Sequence, residues 1–215
     1  ILSRVYNTND EGVYSLRADT INRSLLRLTH TEVVGDTEVT TTYTPTSGLK
    51  TGMNLKVDNA KEVGADRVVN NVAAVKKYGA PAIVIDFGTA TTFNVIDEKC
   101  QFRGGVIAPG IKGSLDSLVN GTAKLPRVEI ERPDKVIGTN TVTNMQSGIF
   151  YGFAGLVEYI VKKIKKEMKS DGVKTIATGG FSEIIAKEIS CIDYVDKLLT
   201  LEGLKYLYDL NSAEN

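Results

Sequence analysis

Two carboxylates in this chain of 215 residues have neighbours suited to moving a phosphoryl group. Asp86 ends an apolar, β-branched run over residues 82–85 and is followed by Gly88, Thr89 and Thr91. At the mouth of a buried strand such a turn can serve an anion and its counter-cation. Gly88 lets backbone N–H groups approach, Thr89 and Thr91 can donate O–H, and Asp86 can hold a cation. The same residues also make a plain hairpin whose Asp and Thr cap the turn. Asp66 sits with Glu62 and Arg67 near the start of an expected helix. A carboxylate within reach of an alcohol can take its proton as a P–O bond forms. Arg67 offers a planar fork for a carboxylate or hydroxyl pair. The simpler reading is that Asp66 and Glu62 favour the positive helix end, at about 0.3–1 kcal/mol each.

Composition narrows the classes. Formal net charge is zero, so there is no basic footprint for nucleic acid and no polybasic membrane signal. No apolar run approaches the length of a membrane span, and no signal-peptide pattern opens the sequence. A cytoplasmic protein is expected. His30 is the only histidine; a Ser-His-Asp triad would hang on one residue, and a His-rich metal site is excluded. Cys100 and Cys191 match no metal or redox spacing and read as reduced thiols.

The elements that position these groups follow from pattern. Residues 82–87 and 90–96 read as a buried strand and the outgoing arm of a hairpin. A third strand over 101–108 ends at Pro109-Gly110. The loop GVIAPGIK lacks the Gly-Lys-Ser/Thr of a P-loop. Residues 61–78 predict a helix with Val68, Val72 and Val75 on one face, stopped by Gly79 and Pro81. Residues 138–169 predict the longest helix, capped by Asn140, with Met145, Ile149, Phe153, Leu156, Ile160 and Ile164 as its apolar stripe. Gly148, Gly152 and Gly155 form a small-residue face suited to close packing. A short strand over 128–130 and a buried strand over 174–178 are expected. The latter leads through Gly179 and Gly180 into a helix over 183–189, a geometry that lets a nucleotide approach backbone and is equally a plain strand–helix turn. Tyr194–Val195 and residues 201–210 predict a last strand and helix. The first 48 residues are less legible: strands near 2–6 and 13–17, helical spacing of Ile21, Leu25 and Leu28, and a β-prone stretch over 33–43.

Several blocks together resemble one family. Residues 86–92 (DFGTATT) look like the second phosphate motif of the actin, sugar kinase and Hsp70 superfamily. KTGMN (50–54), EVGADR (62–67), GGVIAPG (104–110), TAKLP (122–126), GTNTVTNMQSG (138–148) and ATGG (177–180) narrow this to type III pantothenate kinase. The resemblance implies an α/β fold of two actin-like (ribonuclease H-like) lobes, mixed sheets flanked by helices, with a cleft between them. The lobes would span residues 1–80 and 81–215. It implies ATP-dependent phosphorylation of pantothenate to 4'-phosphopantothenate, the first step toward coenzyme A. Asp66 would be the general base. Gly64, Ala65, Asp66, Arg67 and Thr141 would contact pantothenate. Gly88, Thr89, Gly179 and Gly180 would serve ATP. Asp86 would hold a monovalent cation (K⁺ or NH₄⁺), and Mg²⁺ would accompany ATP. A homodimer with sites near its interface is implied, with no nucleic acid or membrane partner.

Two departures stand beside the match. The family's first phosphate loop, Asp-x-Gly-Asn-Thr, has only Asn7-Thr8 as its counterpart here, and Val57 stands where an aromatic is common. The segment 12–20 also runs directly into 21–28 without the family's charged connection. These features imply either that the chain as read joins ordered pieces with mobile segments between them left out or that the first ATP loop is lost. The rival class is a non-catalytic regulatory or accessory homologue with the same fold.

Overall fold

The central strand forms where the sequence is most apolar. Ala82, Ile83, Val84 and Ile85 are fully buried, so both faces of this strand are covered, as its unbroken hydrophobic run requires. Full burial of Ile83 and Ile85 contributes about 1.5–3 kcal/mol each. A computed structural model describes residues 50–122 and 124–211 in full, and the backbones of residue 212 and of the strands over residues 3–8, 12–18, 26–34 and 37–43. In chain order the strands are β1 (Ser3–Thr8), β2 (Gly12–Ala18), β3 (Leu26–Val34), β4 (Thr37–Tyr43), β5 (Asn54–Leu55), β6 (Ala82–Phe87), β7 (Ala90–Ile96), β8 (Gln101–Pro109), β9 (Lys174–Gly179) and β10 (Tyr194–Val195). The helices are α1 (Ala65–Tyr78), α2 (Ile111–Asn120), α3 (Thr141–Met168), α4 (Ser182–Ala186) and α5 (Leu199–Ser212). No helix among the described residues is long and apolar enough to cross a membrane.

The chain divides into two compact units, Ile1–Lys77 with Leu198–Asn215, and Tyr78–Lys197. The divisions fall between Lys77 and Tyr78 and between Lys197 and Leu198. In that unit β1 to β4 form an antiparallel sheet in sequence order. The α1 face of Val69 and Val72 meets Leu204 and Leu207 of α5. A Cβ on Gly203 would lie 2.3 Å from the Val69 carbonyl oxygen, so the two helices touch backbone to backbone. Thr200 Oγ1 donates to Asn70 Oδ1 at 2.6 Å, and Lys77 pairs with Glu202 at 2.8 Å.

The second unit is a mixed sheet flanked by helices. Its strands run β10-β9-β6-β7-β8. β9 is parallel to β6 and β10, while β6, β7 and β8 are antiparallel neighbours. Ile83, Ile85, Phe87, Phe93 and Ala177 meet α3 through Phe150, Phe153, Val157 and Val161, with Ile111 and Ile185 completing the core. The opposite sheet face, including Val84, Ile96, Phe102 and Ile176, is buried as well.

Several expectations are corrected. Leu28 lies in a strand, paired with Leu16 and Tyr43; sheet pairing overrides its helical spacing, and Ile21 and Leu25 lie outside the described residues. The helix expected over 61–78 begins at Ala65, after a separate 3-10 turn over Ala60–Glu62 capped by Asn59. Residues 128–130 form no strand; their segment is instead tied to α3, with Gln146 Nε2 donating to the Glu129 carbonyl at 3.2 Å. The α3 stripe is broader than expected: Met145, Phe153 and Ile164 are buried as its spacing predicts, Phe150, Val157 and Val161 join them as fully buried members, and Ile149, Leu156 and Ile160 are half-buried. The helix expected over 183–189 is only Ser182–Ala186, and the closing helix is longer than expected.

Candidate active site

The hairpin β6–β7 carries Asp86 to the end of a rigid strand and exposes Gly88 and Thr89 in its turn. The Gly88 amide donates to the Ala90 carbonyl at 3.2 Å, which fixes the turn locally. Two distant junctions then fix it from outside. A Cβ on Gly110 would stand 2.1 Å from the Thr89 carbonyl oxygen and 2.8 Å from that of Gly88. Only glycine allows the β8–α2 junction to lie so close. Gly179, at the end of β9, has φ +89, and a Cβ there would meet Asp86 Oδ1 at 2.7 Å and the Phe87 backbone at the same distance. A side chain at Gly179 would be both strained and blocked. The Gly180 amide donates to the Phe87 carbonyl at 3.2 Å, and buried Ser182 donates from Oγ to the Gly179 carbonyl at 2.8 Å. Asp86, Gly88, Thr89, Gly179 and Gly180 are thus brought together at one end of the sheet.

Register adds residues that pattern alone does not reveal. Asp86 is directly opposite Thr92 on β7 and Thr178 on β9. Directly opposed residues share a sheet face, so one carboxylate is flanked by two hydroxyls across three strands. One carboxylate with neutral oxygen donors fits a hard cation of low charge. Among the described residues no three of His, Cys, Asp and Glu stand together as a metal cage. A divalent ion therefore suits this site best when phosphate oxygens supply most of its ligands. Gly110 and Ser182 were legible only as a strand end and a helix start; their contacts join residues far apart in sequence.

The second group lies in the other unit. Gly64 and Ala65 lead into α1, and Asp66 is exposed on its first turn. Asp66 Oδ1 accepts the Arg67 backbone N–H at 2.8 Å. The helix-end reading of Asp66 thus holds in the geometry, yet a carboxylate has further acceptor sites. A Cβ on Gly64 would lie 2.5 Å from the same oxygen, so the carboxylate occupies the space a side chain there would fill. Burial lowers the Arg67 guanidinium below its ordinary value, and Asp66 pulls it back up. It remains a cation at any working pH. Glu62 binds Asn59 Nδ2 at 2.7 Å instead of joining Asp66. Thr141 is the exposed first residue of α3, beside a capping box formed by Asn140 and Thr143. Its hydroxyl is one residue beyond the cap and is not needed to close it.

A cavity of about 620 Å³ lies at the far end of β7 and β8 near Asp97, Arg103 and Ser170. It has no glycine turn. Arg103 is engaged by Asp97 at 3.6 Å and Ser170 by Glu98 at 2.8 Å. The chemistry-bearing residues are at the opposite strand ends.

The fold resembles a solved structure from Campylobacter jejuni assigned to the Baf family of transcriptional activators, with a TM-score of 0.51 at 22% identity over 72% of this chain and 67% of that one. A type III pantothenate kinase from Halalkalibacterium halodurans is 55% identical over 164 residues, 76% of this chain. The match spans 64% of that relative's length. The family model for type III pantothenate kinase matches residues 12–163, which take in the Gly64–Arg67 segment, the Asp86 turn and the start of α3. With the glycine-locked turn and the Asp66–Arg67 pair both inside the matched region, this chain belongs to the type III pantothenate kinase family.

Proposed function

We propose that this protein transfers the γ-phosphoryl group of ATP to the terminal hydroxyl of pantothenate, giving 4'-phosphopantothenate and ADP. The observation that carries the reading is the convergence of Gly110 and Gly179 on the Asp86–Thr89 turn in a chain of this family. Phosphoryl transfer asks for positioning and charge neutralisation more than covalent chemistry, and a turn locked by two remote glycines is a positioning device. Thr89 presents its O–H to phosphate oxygens, Gly88, with no side chain, lets them come close to the turn, and Gly179 and Gly180 offer close backbone approach to the adenosine. Asp86 holds a monovalent cation, K⁺ or NH₄⁺, which neutralises phosphate charge; Mg²⁺ arrives on ATP. Asp66 takes the proton of the attacking hydroxyl, Gly64, Ala65 and Arg67 hold the pantothenate around it, and Thr141 contributes a further hydroxyl contact.

The two units are read as two actin-like lobes joined near Tyr78–Pro81, with α5 returned to the first. A homodimer is supported by the outer face of α3, where a Cβ on Gly148, Gly152 or Gly155 would meet nothing within 4 Å. Ile137, 83% exposed, and Tyr159, 62% exposed, add apolar surface in the same region of the chain. A cytoplasmic location goes with the reaction, since its substrates are cytoplasmic metabolites.

The test follows ADP release from the full-length protein with pantothenate, ATP and Mg²⁺ in K⁺ or Na⁺. Pantothenate-dependent ADP, faster in K⁺, is expected. A folded protein that releases none under either cation overturns the reading.

A further inference from the structure

Near its start, α3 is buried around more of its circumference than one neighbour can cover. Met145, Gln146 and Ser147 are consecutive, and all three are buried. Helical neighbours are about 100° apart, so the three span roughly 200°, about twice the stripe that one packed layer takes up. The chain just before α3 covers part of the rest. Gln146 Nε2 donates to the Glu129 carbonyl and, at 2.7 Å, to Glu131 Oε1. Ser147 Oγ donates to the Val136 carbonyl. A Cβ on Gly138 would stand 2.6 Å from the Asn144 amide nitrogen and 2.7 Å from the Thr143 carbonyl carbon, so backbone lies on backbone there. Thr143 Oγ1 accepts the amides of Thr139 and Asn140 at 3.1 and 3.3 Å. Residues 129–140 are thereby laid along the first turns of α3 and tied to residues 143–147.

The ties at Gln146 and Ser147 are polar where apolar side chains would fill the same space. A buried hydrogen bond adds little net stability, but a satisfied polar pair fixes one arrangement of the segments it joins. The first turn of a helix holds N–H groups without helical partners and frays most readily. Thr141 is the first residue of that turn, and its hydroxyl takes no part in the capping box. A contact group held in place before its ligand arrives does not have to be ordered on binding.

We propose that Gln146 and Ser147 are positioning residues: by clamping the preceding segment onto α3 they keep its first turn wound and the Thr141 hydroxyl in place for pantothenate. The proposal rests on the Thr141 contact proposed above and adds the residues that hold it. Both side chains are buried and act only through the turn.

The test compares the KM for pantothenate with the KM for ATP in the full-length protein. The variants are Thr141→Ala, Gln146→Met and Ser147→Ala, with the last two also combined with Thr141→Ala. Thr141→Ala is expected to raise the pantothenate KM about 2- to 10-fold, the worth of one neutral hydrogen bond. Gln146→Met and Ser147→Ala raise it by as much or less and leave the KM for ATP unchanged. In the Thr141→Ala background they raise it no further, because the contact they hold is already gone. Glu131 is exposed, so Glu131→Ala serves if the buried variants do not fold; Glu131→Gln, which keeps an accepting oxygen, restores the wild-type value. Hydrogen exchange of the Thr143 and Asn144 amides, both bonded to Asn140, quickens in the same variants. Folded variants with wild-type pantothenate KM and wild-type exchange, beside a Thr141→Ala protein whose KM rises, overturn the positioning role alone. So do KM rises that add to that of Thr141→Ala. A Thr141→Ala protein with an unchanged pantothenate KM overturns the contact and the positioning role with it. Wild-type protein without pantothenate-dependent ADP release overturns the reaction on which both rest.

Discussion

The Asp86–Thr89 turn and the Gly64–Arg67 segment are both short, glycine-bearing and exposed, yet they are held in opposite ways. The turn is fixed from a distance: Gly110 and Gly179 press backbone against it, and Ser182 holds Gly179 in place. The Gly64–Arg67 segment is fixed by its own neighbours, through Asp66 on the Arg67 amide and Arg67 N–H on the Gly64 carbonyl. Long-range backbone contact leaves no slack, because nothing at the contact can rotate away. Local side-chain contact leaves rotamer freedom, which suits the proton acceptor proposed at Asp66.

Substitutions on the two sides should therefore fail differently. The largest effect is expected from Asp66→Asn, which keeps the helix start but removes the carboxylate proposed as the base. Pantothenate-dependent ADP release should fall about 10²- to 10⁴-fold with the melting temperature unchanged; an undiminished rate would remove Asp66 from the chemistry. Next is Gly110→Ala, whose methyl must push back a carbonyl. A loss of about 1–3 kcal/mol by denaturant melt is expected, and a wild-type midpoint would show that the turn has slack after all. Asn140→Ala removes one side of the α3 capping box and should cost about 1 kcal/mol in the same melt, with Asn140→Asp near neutral. Smallest in stability is Gly64→Ala: its methyl meets only the end of the Asp66 side chain, which can rotate. The melt should barely move while turnover drops. A Gly64→Ala protein as destabilised as Gly110→Ala would erase the distinction between the two sides.

The same contrast explains what could be read from sequence. The run at 82–85, the hairpin and the Asn140 cap are written in adjacent residues, and they form as their patterns predict. Asp86 and Gly179 were each visible as site candidates, but the approach that leaves no room for a Cβ at Gly179 depends on parallel pairing of β6 with β9, across more than ninety intervening positions. Local pattern has no access to that pairing. The β-branched Val128 and Ile130 suggested a strand, but hydrogen bonds from α3 claim their segment instead. On α3, Ile and Leu at helical spacing drew the stripe toward Ile149 and Leu156. Packing against the sheet selected Phe150 and Val157, one position further on, and left the glycine face outward. Leu28 had the right spacing for a helix and no neighbours to veto it except strands that pair with it across the sheet.

The contact of Gly203 with Val69 sets an order of events during synthesis. α5 is made after the whole of the second unit, yet it supplies half of the small core in the first. While the ribosome is still adding residues before Leu198, the valine face of α1 has no helix to rest on. The second unit, already complete, can close its own core in that interval, since domains fold as units while the chain grows. The nascent protein thus has a finished second unit and an unfinished first unit until α5 arrives, and truncations within Leu199–Ser212 should strike the first unit alone.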